Sequence, residues 1–185
     1  MMKTKYIDEE IKYIGSQLAP HWIYKNFKIQ GDAIVAFIGE CEVKLTEMVD
    51  IEDVINNEPI YSKSMLSFIS EQFNIELVEG VFRQRLLMCI IKEALEKRGI
   101  FVERNGDDLF VNSKKLSVSI ATKSITSTLI HTGLNIESDG TPIPTVGLKS
   151  DLGIHDINCF AEEIMLKYSQ EIDDIVMAST KVRGV

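Results

Sequence analysis

The dipeptide Asn105-Gly106 is the feature that most constrains the fold, because it lies between two extended runs. Asparagine and glycine both tolerate positive φ, so this pair predicts a tight turn that joins two antiparallel strands. A second turn, predicted at Asn112-Ser113, leads into a third extended run. The three runs are residues 100–104, 107–111 and 114–121. We therefore predict an antiparallel meander in the middle of the chain.

The third run of this meander alternates between apolar and polar side chains. The apolar positions are Leu116, Val118 and Ile120, and the polar positions are Lys115, Ser117 and Ser119. A period of two predicts that the apolar side chains face a core. The three polar side chains are therefore predicted to lie together on the opposite face of the strand.

Helices and further strands are predicted on both sides of the meander. Residues 81–98 lack Gly and Pro and end in Lys97-Arg98-Gly99, which is typical of a helix C-terminus. Residues 154–177 carry an apolar stripe behind Asp156, a predicted N-cap. Apolar side chains with helical spacing predict a third helix at 61–73. The remaining extended segments are predicted at 33–38, 74–78 and 127–136.

This order of elements indicates an α+β fold, in which helices pack on a mostly antiparallel sheet. The chain has 185 residues, a size typical of one domain, and we predict a single domain over residues 1–185. The N-terminus lacks the apolar segment of a signal peptide, and the apolar runs are too short to cross a membrane. We therefore predict a cytoplasmic protein that does not bind membranes.

The net charge of the chain limits the classes of partner that it is expected to bind. The 20 Lys and Arg residues against 28 Asp and Glu residues give a net charge of −8. This balance argues against a nucleic-acid partner, because binding phosphates requires clustered Lys and Arg. The three cysteines, Cys41, Cys89 and Cys159, are far apart, which argues against a disulfide framework or a structural zinc site. No metal site is predicted.

Residues 40–58 contain seven acids and one base, Lys44. Asp50, Glu52 and Asp53 allow a metal site to be drawn, but a solvated loop or helix start is the favoured interpretation. An EF-hand requires alternating oxygen ligands around a glycine, and this segment has no such glycine.

Three segments in register resemble the core of the biotin and lipoate protein ligase superfamily. They are the helix end at 92–100 (KEALEKRGI), the strands at 107–117 (DDLFVNSKKLS) and the run at 131–136 (HTGLNI). The corresponding family patterns are EALEELG, NDLLVNGKKISG and GLGINV. The resemblance implies a biotin/lipoate ligase-like core, similar to that of class II aminoacyl-tRNA synthetases. It also implies a small carboxylate ligand.

The resemblance further implies roles for individual residues. Lys115 aligns with the lysine that holds the acyl carbonyl and phosphate in lipoate ligases, so it is the candidate catalytic residue. Asp107 and Asp108 align with the NDL pair, and Arg104 lies where biotin ligases place a lysine. These three residues are candidate substrate-binding groups. A solvated hairpin edge is the alternative interpretation of all four.

The remaining candidate substrate-binding residues lie on two strands. Ser117 follows Lys115 on the third run of the meander. His131, Gly133 and Asn135 share one face of the later strand because side chains alternate. A glycine there allows a ligand to approach the backbone, and a neutral histidine is able to transfer a proton near pH 7. A structural hydrogen-bonding histidine is the alternative.

The chain lacks two motifs of the superfamily. The Arg- and Gly-rich phosphate loop (RRxSGGG or GRGRRG) has no counterpart, since residues 37–44 read FIGECEVK. The nucleophilic cysteine of octanoyl transferases is replaced by Val146. The first absence argues against an ATP cradle, the second argues against thioester transfer, and the sequence identifies no cofactor.

The whole chain resembles most closely an archaeal family of unassigned activity, domain-of-unknown-function family 366. The segments that carry this resemblance are 83–87, 106–111, 115–121 and 181–185. Three interpretations stay open: an enzyme that acts on a carboxylic acid, a non-catalytic binding protein that has lost adenylation, and a structural protein that forms a homo-oligomer through its sheet edges.

Overall fold

The computed structural model describes residues 1–141 and 143–184. It contains eight strands and four α-helices in these ranges. In chain order they are β1 (Lys3–Tyr6), α1 (Trp22–Phe27), β2 (Ala33–Val43), α2 (Ile51–Asn56), β3 (Ile60–Phe73), α3 (Leu77–Glu96), β4 (Glu103–Asn105), β5 (Asp108–Val111), β6 (Lys114–Lys115), β7 (Ser117–Lys123), β8 (Ser127–Asn135) and α4 (Ile157–Thr180).

The strands form two sheets, and the two long helices pack mainly on the larger one. The large sheet has the order β1-β2-β3-β8-β7, and the small sheet has the order β4-β5-β6. Every neighbouring pair is antiparallel except β1 and β2, which are parallel. The helices α3 and α4 pack together and against strands of the large sheet. The predicted α+β class, with helices on a mostly antiparallel sheet, is confirmed.

The predicted meander is present, and one of its two turns is shifted. The first turn lies one residue later than predicted, because Asn105 pairs with Asp108 and Gly106 takes the positive φ of 63°. The second turn falls at Asn112-Ser113 as predicted, and both residues have positive φ. Positive φ at both central residues is what a type I′ hairpin turn requires.

The third run of the meander is divided between the two sheets. It contributes β6 to the small sheet and β7 to the large one, and the chain bends at Leu116 between them. Because of this bend, Ser117 lies opposite Leu134 and Val118 lies opposite Gly133. Ser117 and Ser119 are two residues apart in β7 and share one face of the large sheet, whereas Lys115 lies in the small sheet. The predicted single polar face is therefore divided between two sheets. The Ser119 hydroxyl faces α3, where it accepts a hydrogen bond from the Gln84 amide at 3.0 Å.

Residues 61–73 form strand β3 and not the predicted helix. This strand is central in the large sheet and is buried on both faces, so its apolar residues do not alternate. The strand predicted at 74–78 is also wrong. Asn74 has a φ of 60°, and α3 begins three residues later at Leu77. The helices predicted at 81–98 and 154–177 and the extended runs at 33–38 and 127–136 are confirmed.

The large sheet separates two apolar clusters. The face that carries Leu66, Phe68 and Leu134 packs against α3 and α4, and we call it the helix face. The opposite face carries Met65 and Ile69 and is covered in part by Tyr13 and Ile23 from the N-terminal segment. We call this second face the cavity face. Among the described residues, no helix has the length and apolar character needed to cross a bilayer.

Candidate functional site

A cavity of about 560 Å³ opens over the cavity face of the large sheet. Its apolar lining includes Met65 from β3 and Val118 and Ile120 from β7. It extends past the edge strand β7 to Asp107 and Asp108 of the hairpin between β4 and β5. A volume of this size is typical of a small-molecule site.

The floor of the cavity contains a stacked pair of rings, Tyr13 and His131. The ring centroids are 3.7 Å apart with an angle of 12° between the planes. The His131 Nε2 atom lies 3.3 Å from the Ser67 hydroxyl. Burial lowers the pKa of His131 to about 3, so the imidazole is neutral at physiological pH. Burial also raises the pKa of the Tyr13 hydroxyl, and the floor therefore offers two uncharged polar groups.

Lys115 is fixed by backbone pairing on both sides of β6. Its strand pairs with β5, where Phe110 lies opposite Lys115. On the other side, the Lys115 amide donates to the Pro144 carbonyl at 3.2 Å, and its carbonyl accepts from the Val146 amide at 3.1 Å. The Lys115 ammonium lies 3.0 Å from the Asp108 carboxylate, and both side chains are about one-third exposed. A fixed backbone and a half-buried ion pair hold this cation at the cavity wall.

Acidic side chains surround Lys115, and we call them the acidic rim. The seven rim residues that line the cavity are Glu47, Asp50, Glu52, Asp53, Glu58, Asp107 and Asp108. Lys115 is the one Lys or Arg among the described lining residues. The local charge is therefore strongly negative.

The rim residues are held by local structure. The Asp50 carboxylate caps α2, because it accepts from the amides of Glu52 and Asp53. Burial, reinforced by the charge of Asp50, raises the pKa of Asp53. Burial also raises the pKa of Asp107, although the Arg85 guanidinium 2.9 Å away opposes this shift. Both shifts are the expected response of carboxylates that are crowded together and partly desolvated.

Six of the eight predicted site residues line the cavity. They are Asp107, Asp108, Lys115, Ser117, His131 and Asn135. The other two, Arg104 and Gly133, are not among its lining residues. Arg104 is exposed and donates to the Gly106 carbonyl of its own turn. Gly133 is covered by Met65, since a Cβ atom there would lie 2.2 Å from the Met65 sulfur.

Neither Tyr13 nor the rim was predicted from the sequence as part of this site. Tyr13 stacks on a residue 118 positions later, a contact that only the tertiary fold creates. The acids at 47–58 are visible as a charged run, yet their proximity to Lys115 depends on the packing of two distant segments. Among the described residues, no group of three or more His, Cys, Asp or Glu side chains is arranged to hold a metal ion.

Residues 37–44, which lack the sequence of the superfamily's phosphate loop, lie in β2 or directly after it. The Gly39 Cα packs against the N-terminal segment, and a Cβ atom there would lie 2.0 Å from the Ile11 carbonyl oxygen. The Glu42 amide donates to the Tyr13 carbonyl at 2.9 Å. This glycine therefore allows two backbone segments to pack closely, and the segment does not form a phosphate-binding loop.

Comparison with known proteins gives a family and close relatives. The model of the family "Domain of unknown function (DUF366)" matches residues 2–183. An uncharacterised protein of Methanocaldococcus jannaschii is 39% identical over 180 residues, which cover 94% of this chain and 81% of the relative. The solved structure of a protein of unknown function from Pyrococcus horikoshi has a TM-score of 0.94 at 39% identity, with both chains covered completely.

More distant solved structures share the fold. A biotin protein ligase from Aquifex aeolicus, in complex with biotin and ATP, has a TM-score of 0.61 at 12% identity and covers 91% of this chain and 70% of its own. Lipoate-protein ligase A bound with ATP has a TM-score of 0.60 at 12% identity, and the match covers 93% of this chain and 86% of the ligase chain. At this identity the similarity establishes a biotin/lipoate ligase-like fold and nothing about activity.

Proposed function

Because the chain belongs to the DUF366 family and has a biotin/lipoate ligase-like fold, we propose that it binds a small carboxylic acid in the cavity. The observation that carries this proposal is the convergence of Lys115, His131 and Asn135 on one cavity of about 560 Å³. Pockets that combine an apolar wall with a few fixed polar groups are the usual form of a small-molecule site.

In this proposal the ligand lies along the cavity face. Its apolar body contacts Met65, Val118 and Ile120, and its carboxylate reaches the Lys115 ammonium. A charge-assisted hydrogen bond to a fixed cation is among the stronger single contacts available to a carboxylate. Lys115 is suited to this role because its backbone is paired on both sides and so costs little entropy to position.

We propose binding without adenylation. In the segment 37–44, which lacks the phosphate-loop sequence, the Gly39 Cα packs against Ile11 and the Glu42 amide donates a hydrogen bond to the Tyr13 carbonyl. These contacts engage backbone that a phosphate cradle would need to present to the ligand. The expected result is that ATP with lipoate, octanoate or biotin releases no pyrophosphate. Pyrophosphate release that depends on the acid would show that the protein is an enzyme instead.

The binding itself is tested by thermal unfolding with lipoate, octanoate and biotin. A ligand at about one hundred times its dissociation constant adds about 2.7 kcal/mol to the free energy of unfolding. Lys115→Ala is expected to abolish this gain while changing the stability of the free protein by at most about 1 kcal/mol, because its ion pair is partly exposed. Lys114→Ala is the matched control, since Lys114 is exposed and does not line the cavity.

The proposal fails if none of the three acids raises the unfolding temperature. It also fails if Lys115→Ala and Lys114→Ala reduce binding equally, because the carboxylate would then not be held at Lys115.

We further propose that the protein forms a homo-oligomer through an edge of the large sheet. The support is that β7 (Ser117–Lys123) is an edge strand of this sheet. Exposed strand edges are templates for pairing with a second chain. Sedimentation equilibrium tests this proposal, and a monomer at high protein concentration would contradict it.

A further inference from the structure

The acidic rim places an unusual charge around a proposed carboxylate site. Seven carboxylates and a single described Lys or Arg line the same cavity. Lys115 is already paired with Asp108 at 3.0 Å, so one of these carboxylates neutralises it in the free protein. Such charges interact more strongly where the surroundings are partly desolvated than they would in bulk water. A ligand that carries negative charge alone is therefore opposed by the rim.

The rim lies close to Lys115 and not merely near the cavity opening. The charge of Lys115 acts on both Asp53 and Asp107, and those of Asp108 and Glu58 act on Asp53. The carboxylates at 50–58 and at 107–108 therefore influence one another and Lys115 across the same cavity. A ligand whose carboxylate reaches Lys115 brings the rest of its length close to these carboxylates.

A second and independent observation points to a ligand with hydrogen-bond donors. The Tyr13 side chain is only 3% exposed, and no described residue forms a hydrogen bond with its hydroxyl. No side-chain polar atom that is fully shielded from water lacks a partner among the described residues. The Tyr13 hydroxyl is therefore not fully shielded, and Tyr13 is one of the residues that line the cavity.

The same reasoning applies to His131, which is 3% exposed. One ring nitrogen contacts Ser67, and the other has no partner among the described residues. A neutral imidazole has one donor and one acceptor nitrogen, so this nitrogen accepts in the tautomer that is protonated at Nε2, and the Tyr13 hydroxyl is able to accept and to donate. The cavity thus combines a negative rim with uncharged polar groups on its floor.

We infer that the ligand carries a positively charged nitrogen in addition to the group held at Lys115. The chemical class is an amine-bearing carboxylic acid with an apolar body, whose ammonium group is bound by the acidic rim and the Tyr13–His131 floor. This inference rests on the proposed function, because it names the class of ligand for the same cavity. It adds a requirement that the resemblance to biotin and lipoate ligases does not contain.

Three probes of equal chain length separate this inference from the proposed function: octanoate, ω-aminooctanoate and octylamine. Calorimetric titration is expected to give ω-aminooctanoate an affinity about tenfold or more above that of octanoate, which corresponds to about 1.4 kcal/mol. The advantage should shrink as salt is added, because it comes from charges near solvent.

The matched variants are Asp53→Asn and Asp174→Asn. Asp53 lies on the rim, and its replacement leaves the Asp50 cap of α2 intact. Asp174 is exposed on α4 and does not line the cavity. Asp53→Asn is expected to remove most of the advantage of ω-aminooctanoate over octanoate, and Asp174→Asn is expected to leave it unchanged.

Each outcome decides one of the two claims. If octanoate binds as tightly as ω-aminooctanoate, the inference is overturned and the proposed function stands. If octylamine binds as tightly as ω-aminooctanoate and Lys115→Ala has no effect, the carboxylate role is overturned and the cation site stands. If none of the three binds, both are overturned.

Discussion

The two faces of the large sheet are built for different tasks. On the helix face, Leu66, Phe68 and Leu134 are fully buried under α3 and α4. On the cavity face, part of the surface is covered by Tyr13 and its neighbours, and the rest lines a cavity with a charged rim. Close packing on the first face stabilises the fold, while incomplete packing on the second leaves room for a ligand.

The largest difference between the faces is expected from truncating one buried side chain on each. Phe68→Ala removes a fully buried ring from the helix face and should lower the free energy of unfolding by about 3–5 kcal/mol. Val118→Ala shortens a half-buried side chain that borders the cavity and should lower the free energy of unfolding by about 1 kcal/mol. Urea denaturation measures both values. Equal losses would contradict the assignment of the main core to the helix face.

An intermediate effect is expected at Gly133, where the cavity face is closely packed. Gly133→Ala would place a Cβ atom 2.2 Å from the Met65 sulfur, so the Met65 side chain must move. Overpacking of this kind costs about 1–3 kcal/mol.

A double-mutant cycle with Met65→Ala checks this cause. The cost of Gly133→Ala, measured by urea denaturation, should fall when Met65 is truncated, because the clashing atoms are absent. The same cost in both backgrounds would show that Met65 does not determine the effect.

The smallest effect is expected from the charge state of His131. Its pKa falls from an ordinary value of 6.5 to about 3 in the folded protein, so the unfolded chain binds a proton that the folded protein does not. The contribution is fully present above pH 6.5 and is lost as the pH falls toward 3. Between about pH 5 and 6, where carboxylates remain mostly ionised, it adds at most about 1.4 kcal/mol per pH unit to the loss of stability.

His131→Gln is expected to remove the part of the pH dependence of the free energy of unfolding that His131 causes. Urea denaturation at several pH values between about 5 and 6.5 should give a flatter pH dependence for the variant than for the natural chain. An identical slope for the two proteins would mean that His131 is protonated in the folded state, and the floor of the cavity would then not be neutral.

The meander and the two long helices were predictable because their signals are local. Asn112-Ser113 forms its turn through two positive φ angles, and Asp156 caps α4 through its own side chain. Strand β3 was not predictable in this way. It is buried on both faces, and with no polar face to mark a period of two, Met65, Phe68 and Ile69 fall at helical spacing by chance.

The site was predictable only in part, for a related reason. Lys115 and Asp108 lie on neighbouring strands of one hairpin. The local turn and strand pattern is therefore sufficient to predict that they are close. Lys115 does not share a face with Ser117 and Ser119 as predicted, because the chain passes from one sheet to the other at Leu116 and the alternation is interrupted there. Tyr13 and the rim residues at 47–58 are brought to the site by long-range packing, and a local sequence pattern does not predict such contacts.

A ligand that binds on the cavity face is expected to leave the helix face unchanged. Methyl NMR spectra recorded with increasing octanoate report on the two faces separately. The methyl signals of Met65, Val118 and Ile120 should shift with saturation, because these residues line the cavity. Those of Leu66, Leu134 and Ile91 should stay in place, because Leu66 and Leu134 are buried on the helix face and Ile91 of α3 belongs to the same core cluster. Shifts confined to the second group, or no shifts in either, would contradict binding on the cavity face.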